Sequence, residues 1–353
     1  MVEDWQRALA KSVTKPEDVA KKLGLGLEIL DDLNPVVDKY PMRVTDHYLS
    51  LIEGVGDPIW RQCIPSVEEL SDPYGLEDPL HEEVDSPVPG LTHRYPDRVL
   101  MIVSNQCATY CRFCTRKRRV GDPKRSPSKD CILQQIEYIR RHSEVRDVLL
   151  SGGDPLLLTD ERLEFILGKL RGIPHIEIIR IGTRVPCTFP DRVTEKLCKM
   201  LRQYHPIFIN IHFNHPREVN EESARACGLL ADAGIPLGSQ TVLLRGVNDK
   251  AEVMKNLMQK LLTIRVRPYY LFQMDPVKGT YHFRTRVEEG LEIMKAIIGY
   301  TSGLAVPHYV IDAPGGGGKI PLVPNYLQLI EEDRVLLTNY QGRSFEYPQP
   351  CIN

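Results

Sequence analysis

Long hydrophobic runs are absent from this sequence, as are an excess of cysteine and an excess of charge of one sign. The longest apolar stretches, such as Val99–Val103, fall far short of the ~20 residues that a membrane-spanning helix needs. Nine cysteines among 353 residues are too few for a disulfide-built scaffold. Since 45 basic residues balance 47 acidic ones, no overall field would attract nucleic acid or an anionic membrane.

The composition that remains is that of a globular protein. Hydrophobic residues make up 42% and charged residues 26%, which excludes a disordered chain, a collagen and a coiled-coil rod. The length allows one large α/β barrel with an extension. The first residues include Glu3 and Asp4 and form no apolar signal region, so we expect a cytoplasmic protein that binds neither nucleic acid nor a membrane.

The first 90 residues are predicted to form a helical N-terminal arm. Pro16–Leu23 is predicted to be a helix, because a proline stands at its start and Gly24 follows its end. Prolines and acids crowd residues 58–89, which we interpret as an irregular connection, because proline resists both helix and central strand.

From Arg98 onward, short apolar runs rich in β-branched residues alternate with segments of helical periodicity. The predicted strands are Val99–Val103, Val148–Leu150, Ile176–Ile181, Ile207–Ile211, Leu237–Leu244 and Arg267–Phe272. The predicted helices are Cys131–Arg141, Leu163–Leu170, Val193–Leu201, Ser223–Ala231 and Val253–Leu262. A repeat of roughly 30 residues with strands apolar on both faces is typical of parallel βα units.

Six such units predict an α/β fold, a partial (β/α)6 barrel over residues 91–300. Residues 301–353 would add a lysine-bearing loop and a short C-terminal extension. A doubly wound sheet is the alternative, and periodicity does not separate the two. In either fold the chemistry lies at the carboxyl ends of the strands. Polar residues follow the predicted strands there, among them Thr183-Arg184 and Asp275.

Three cysteines, Cys107, Cys111 and Cys114, stand in a predicted loop after the first barrel strand. Three thiolates at this spacing can hold three irons of a [4Fe-4S] cluster and leave the fourth iron open. The other interpretations are a zinc site without its fourth ligand and a chance group of buried cysteines. The spacing, with Phe113 before the third cysteine, resembles that of radical S-adenosylmethionine (SAM) enzymes, in which SAM completes the cluster and yields a 5′-deoxyadenosyl radical.

Two glycine-rich segments follow. Ser151-Gly152-Gly153-Asp154-Pro155 succeeds the second strand, where radical SAM enzymes carry a motif that binds the methionine amino group; an ordinary tight turn is the alternative. The run DAPGGGGK ends at Lys319. A P-loop would need a serine or threonine after this lysine and would open a helix, but Ile320 has no hydroxyl and Pro321 disfavours a helix, so a P-loop is excluded. Its lysine suits a Schiff base with pyridoxal phosphate (PLP), unless the run is a hinge with a solvated lysine.

Taken together, these motifs resemble the lysine 2,3-aminomutase family of radical enzymes, from about Leu91 to about Asn325. The segments that carry the resemblance are LTHRYPDRVL (91–100), CATYCRFCTRKRR (107–119), LSGGDPL (150–156), HFNHP (212–216), LLRGVND (243–249), RPYYLFQMD (267–275), HFRT (282–285) and DAPGGGGK (312–319). The resemblance implies an isomerase in which three cysteines bind the cluster and Lys319 holds PLP.

The resemblance also implies roles for further residues. Arg94 and Tyr95 correspond to positions beside PLP, and Arg116 to the residue that binds the substrate α-carboxylate. Gln240 and His212 correspond to positions near SAM, where Gly152, Gly153 and Asp154 also belong. The implied reaction moves an α-amino group to the neighbouring β-carbon, and it needs a reducing electron donor such as flavodoxin or ferredoxin.

The choice of substrate depends on Asp275 and Asp312. In the lysine-specific members two aspartates hold the distal ammonium, and an unpaired charge in a partly buried site costs several kcal/mol. The pair therefore favours a basic amino acid, with conversion of L-lysine to β-lysine as the predicted reaction. Arginine, ornithine and glutamate remain alternative substrates. The alternative role is capping of a strand end for Asp275 and turn formation for Asp312. The alternative function is that of a non-catalytic iron–sulfur protein.

One departure from the family pattern concerns zinc. Lysine aminomutases carry a cysteine where Lys250 stands, and they pair it with a C-terminal cysteine cluster of which only Cys351 is present here. We therefore predict no zinc site and an altered C-terminal contact between subunits, although a homo-oligomer is still expected.

Overall fold

The computed structural model describes residues 3–350, and its centre is a curved sheet of nine strands. They are β1 (Leu91–Tyr95), β2 (Arg98–Ser104), β3 (Asp147–Gly152), β4 (Ile178–Thr183), β5 (Ile207–Ile211), β6 (Leu237–Leu243), β7 (Arg267–Gln273), β8 (His308–Ala313) and β9 (Gly318–Pro321). The strands lie in the sheet in their order along the chain. From β2 to β8 all neighbours are parallel, whereas β1 and β9 are antiparallel edges.

The strand order confirms the partial barrel and excludes the doubly wound sheet. A doubly wound sheet reverses direction at a switch point, whereas here every crossover advances by one strand in the same direction. All six predicted strands are present. The sequence analysis missed the seventh parallel strand β8 and the edges β1 and β9, each of which adjoins a glycine or a turn.

Helices connect the strands because their sequences combine a capped start with one apolar face. They are α6 (Lys129–Arg141), α7 (Asp160–Arg171), α8 (Val185–Thr188), α9 (Glu195–Leu201), α10 (Glu221–Asp232), α11 (Ala251–Thr263) and α12 (Val287–Ile297). Side chains of Ser128, Thr159, Thr194 and Asn220 accept hydrogen bonds from the first turns of α6, α7, α9 and α10. Their apolar faces pack in one core with the strands.

The N-terminal arm is helical as predicted. It holds α1 (Asp4–Ala10), α2 (Pro16–Leu23), α3 (Leu30–Lys39), α4 (Asp46–Leu49) and α5 (Pro58–Cys63). The helix α2 has the predicted bounds, and Gly24 ends it with a φ of 65°, a left-handed conformation that glycine adopts without strain. The helix α5 was not predicted, because Pro58 was read as a breaker although it occupies the first turn after the Asp57 cap.

After β9 the chain forms a separate antiparallel sheet of β10 (Leu327–Ile330), β11 (Arg334–Thr338) and β12 (Ser344–Pro348), which was not predicted. The proposed division of the chain at residues 90 and 300 stays a prediction, although β8 and β9 continue the barrel sheet past residue 300. Among residues 3–350, no helix is long and apolar enough to cross a membrane. Cys351, on which the absence of zinc was argued, lies outside the described residues.

Candidate active site

A cavity of about 600 Å³ opens at the carboxyl ends of the barrel strands and continues into the barrel interior. All fourteen residues that the sequence analysis proposed for the site line this cavity. Cys111 and Lys319, which lie more than 200 residues apart in the chain, therefore face the same space. The geometry brings the proposed residues together, whereas the role of each remains a prediction.

The cysteine loop follows β2 and is fixed by buried ion pairs with the N-terminal arm. Arg112, only 2% exposed, donates to both carboxylate oxygens of Glu69 at 2.9 and 2.6 Å. The ammonium of Lys117 donates to the same carboxylate at 2.5 Å. Glu69 thus pairs with the residue directly after Cys111 and with the third residue after Cys114, and a buried carboxylate paired with two cations holds this geometry firmly.

The glycine loop after β3 packs directly against the chain that leads into the cysteine loop. The amide of Gly153 donates to the carbonyl of Ser104 at 2.8 Å, and the amide of Asp154 donates to the carbonyl of Gln106 at 2.7 Å. A Cβ on Gly152 would lie 2.3 Å from the Ser104 carbonyl oxygen, and one on Gly153 would lie 2.4 Å from that of Gln106. Both glycines are therefore required by contact between two loops of the protein.

Asp154 lines the cavity, but its carboxylate is already engaged by the protein. It accepts from the Thr183 hydroxyl at 2.7 Å, the Arg184 amide at 2.7 Å and the Leu156 amide at 3.0 Å. The side chain thus joins the glycine loop to the end of β4. This arrangement gives Asp154 a structural role in addition to the SAM contact that was predicted for it.

Arg184 is a residue of the site to which the sequence analysis gave no role. It is buried at the end of β4, and its Nη1 donates to Cys111 Sγ at 2.8 Å. Its Nη2 donates to the buried carboxylate of Glu218 at 2.8 Å and to the hydroxyl of Tyr48 at 2.8 Å.

The imidazole of His212 is neutral at pH 7. Burial, followed by the positive charge of Arg184, lowers the pKa of His212 to about 4.

The glycines of DAPGGGGK form the turn of a hairpin between β8 and β9. Asp312 and Lys319 are paired across it, and Lys319 Nζ lies 2.9 Å from Asp312 Oδ2. The Tyr95 hydroxyl accepts from the Lys319 amide at 2.9 Å, and a Cβ on Gly318 would lie 2.9 Å from that hydroxyl. The lysine therefore lies on a strand, and the helix that follows a P-loop is not present at this position.

The two aspartates proposed for substrate binding lie on this hairpin and at the end of β7. Asp312 is nearly buried, and its Oδ1 has no hydrogen-bond donor among the described residues, although Arg94 Nη1 lies 3.7 Å away. Asp275 accepts from the Thr115 hydroxyl at 3.3 Å. Burial, followed by the negative charge of Asp312, raises the pKa of Asp275 to about 7.

Comparison with known proteins agrees with this geometry. Residues 101–258 match the model of the radical SAM superfamily, and residues 294–352 match the model of the family described as lysine-2,3-aminomutase. The L-lysine 2,3-aminomutase of Clostridium subterminale is 51% identical over 98% of this chain and 84% of its own length.

The chain belongs to the lysine 2,3-aminomutase family. The L-lysine 2,3-aminomutase of Methanococcus maripaludis is 50% identical over 98% of this chain and 82% of its own. The glutamate 2,3-aminomutase of Clostridioides difficile is 46% identical over 97% of this chain and 82% of its own. The predicted family, the radical SAM class and the assignment as an isomerase are thereby confirmed, whereas relatives with different printed substrates leave the substrate to be proposed.

Membership of the radical SAM superfamily implies a [4Fe-4S] cluster and SAM. Three cysteines that line one cavity are the type of ligand set that such a cluster takes. Burial, followed by the charge of Cys111, raises the pKa of Cys114 to about 11, and burial also raises the pKa of Cys107. Thiols in this environment remain protonated by themselves, and bound metal ions are what favour the thiolate form. Binding of the cluster would therefore have to release these protons, and what the structure provides for it is three cysteines that line one cavity.

Sequence reasoning missed the charged partners that orient the proposed residues. Glu82, which pairs with Arg116, comes from a distant segment, as do Glu69 and Glu218, and no local pattern marks them as part of the site. Arg184 carried a signal, because it follows a strand at the edge where the chemistry lies, but its contact with Cys111 is apparent only in the folded chain.

Proposed function

We propose that this family member moves the α-amino group of L-lysine to its β-carbon, using the cluster, SAM and PLP. The observation that carries the proposal is the buried, unsatisfied Oδ1 of Asp312 beside Asp275, in the cavity that also contains Lys319 and Cys111. A buried carboxylate oxygen without a donor is unfavourable, and the ammonium group of a basic substrate would satisfy it.

The residues beside Lys319 fit PLP. The amine lies on a rigid strand, and Tyr95 and Arg94 line the same part of the cavity. When bound, PLP supplies an imine in which a migrating nitrogen can be held beside a carbon radical. Lys319 would bind PLP, and Arg94 would add positive charge for the PLP phosphate. Before PLP binds, Asp312 would pair with the ammonium group of Lys319 itself.

The two ends of the substrate would be fixed by neighbouring parts of the cysteine loop. Arg116 would bind the α-carboxylate by paired hydrogen bonds. Thr115, next to it in sequence, donates to Asp275 and so connects the carboxylate site with the ammonium site. Holding both charged ends keeps the α- and β-carbons in one position, and the surrounding barrel limits the entry of water and other hydrogen donors.

The acidic pair argues against glutamate as the substrate. A second carboxylate placed beside Asp275 and Asp312 would meet like charge in a site where water screens poorly. Arginine and ornithine are cationic, so their charge does not exclude them, and they belong in the test of the proposal.

The test is product analysis after anaerobic reconstitution with iron, sulfide, SAM and PLP. Lysine, arginine, ornithine and glutamate are each incubated with reduced enzyme, and β-amino products are separated by chromatography. We expect β-lysine from lysine, loss of the product in Lys319→Ala, and no loss in the exposed control Lys295→Ala. Faster turnover of glutamate than of lysine, or undiminished lysine turnover in Lys319→Ala, would show that the proposal is wrong.

A further inference from the structure

A short acidic segment of the N-terminal arm, residues 78–85, lies against the site; we name it the acidic strap. Two of its residues, Leu80 and Glu82, line the cavity. Each of its four acids pairs with an arginine of the barrel domain. The ion pairs are Asp78–Arg118 at 3.0 Å, Glu82–Arg116 at 2.5 Å, Glu83–Arg119 at 2.9 Å and Asp85–Arg94 at 2.8 Å.

Backbone contacts hold the acidic strap in place independently of these ion pairs. The amide of Gly315, in the turn before Lys319, donates to the Pro79 carbonyl at 2.9 Å. The amide of His93, on β1, donates to the Asp85 carbonyl at 2.9 Å. The strap is therefore anchored at both ends, and Glu82 approaches Arg116 from a fixed backbone.

Glu82 occupies one edge of the Arg116 guanidinium. Nε donates to Oε2 at 2.9 Å and Nη2 donates to Oε1 at 2.5 Å, which is the paired geometry of a strong charged hydrogen bond. The other terminal nitrogen, Nη1, has only longer contacts of 3.3 Å, to the Ser151 hydroxyl and the Gly152 carbonyl. A planar guanidinium held along one edge presents its remaining N–H groups in a fixed direction.

We propose that Glu82 is a positioning residue, which holds Arg116 so that Nη1 and the remaining N–H of Nη2 meet the substrate α-carboxylate. The inference rests on the proposed function, because it takes Arg116 as the partner of that carboxylate. Burial raises the pKa of Glu82, but Arg116 and Arg118 together lower it by more, so that Glu82 stays ionised. A substrate that displaced Glu82 would leave a buried carboxylate unpaired, which is costly, whereas on the Nη1 side it would replace only the two contacts of 3.3 Å.

Glu82→Gln tests the inference, with Glu83→Gln as the matched control. Glu83 is the next residue of the same strap, but it is largely exposed and pairs with Arg119 rather than with Arg116. Titration calorimetry on PLP-loaded protein without SAM, where no turnover occurs, gives Kd for L-lysine and for 1,5-diaminopentane, which lacks the carboxylate. We expect Glu82→Gln to raise Kd for lysine about tenfold and to leave Kd for diaminopentane unchanged, as one oriented charged contact is lost. Glu83→Gln should change neither.

Comparing two ligands on one protein preparation separates positioning from damage to the fold. Equal weakening of both ligands by Glu82→Gln would assign Glu82 a structural role and overturn the inference. Tighter lysine binding would also overturn it, since Glu82 would then be a competitor of the substrate. If wild-type enzyme fails to convert lysine while Glu82→Gln weakens lysine alone, the proposed function fails and the positioning role stands.

Discussion

Replacing Asp275 by asparagine measures how much the buried pair of Asp275 and Asp312 lowers the free energy of unfolding. Burial and Asp312 raise the pKa of Asp275 from 3.8 to about 7. Between these pH values the folded protein keeps a proton that the unfolded chain has lost. The native state is therefore destabilised progressively as the pH rises through this window, and the full cost is present above pH 7. Asparagine resembles the protonated acid in shape and never ionises, so it removes this cost.

The magnitude follows from the size of the shift. About three pKa units at about 1.4 kcal/mol each give an upper limit of about 4 kcal/mol. Asp275 keeps partial exposure through the cavity, where water screens its charge, so we take half of this limit. Asp275→Asn should thus raise the free energy of unfolding by about 2 kcal/mol at pH 8, and this gain should decline steadily from pH 7 to pH 4.

The assay is urea unfolding of the apoprotein at several pH values between 5 and 8, with the exposed Asp333→Asn as control. If the stability gained by Asp275→Asn did not depend on pH, or if this variant were less stable than wild type at pH 8, the electrostatic reasoning would be wrong. The same substitution should weaken lysine binding, because the ammonium prefers the ionised pair. Wild-type affinity for lysine should fall about tenfold per pH unit below 7, and the variant should lack this dependence.

Three further substitutions test the contacts that hold the cysteine loop and the glycine loop in place. Arg184→Met leaves the carboxylate of Glu218 buried without its cation, and urea unfolding should show a loss of about 3–5 kcal/mol. Gly153→Ala forces a Cβ against the Gln106 carbonyl oxygen, so equilibrium dialysis should show SAM binding weakened about tenfold. Glu69→Gln loosens two buried cations of the cysteine loop, and the iron bound per chain after reconstitution should fall by about half or more.

Much of the barrel could be predicted because its strands are short runs rich in apolar and β-branched residues. Runs such as Ile207–Ile211 are apolar at nearly every position, which is typical of parallel strands covered by helices. Once the strands were placed, the site followed from topology, because carboxyl ends of parallel strands meet at one edge. Cys107 and Gly152 could thus be assigned to the same edge from their positions after successive strands.

The unpredicted features depend on contacts between distant parts of the chain. Glu82 and Arg116 are 34 residues apart, and nothing in either segment indicates the other. The strand β8 was not predicted, because His308–Ala313 begins with an exposed residue, ends with a half-buried one and precedes a glycine-rich turn. Every residue of β10 and β12 is exposed, and the short alternation of polar and apolar residues in Ser344–Pro348 was not recognised as a strand.

The glycines of the site have a structural role that the motif alone did not indicate. Gly152 and Gly153 were predicted to belong to a SAM-binding motif, yet the atom nearest to each missing Cβ position is a carbonyl oxygen of the protein, that of Ser104 for Gly152 and that of Gln106 for Gly153. Their contact clamps the cysteine loop on one side, while Glu69 clamps it on the other through Arg112. A loop held from two sides needs little rearrangement to receive its cofactors, and a rigid site is what a reactive carbon radical requires if it is to meet one partner only.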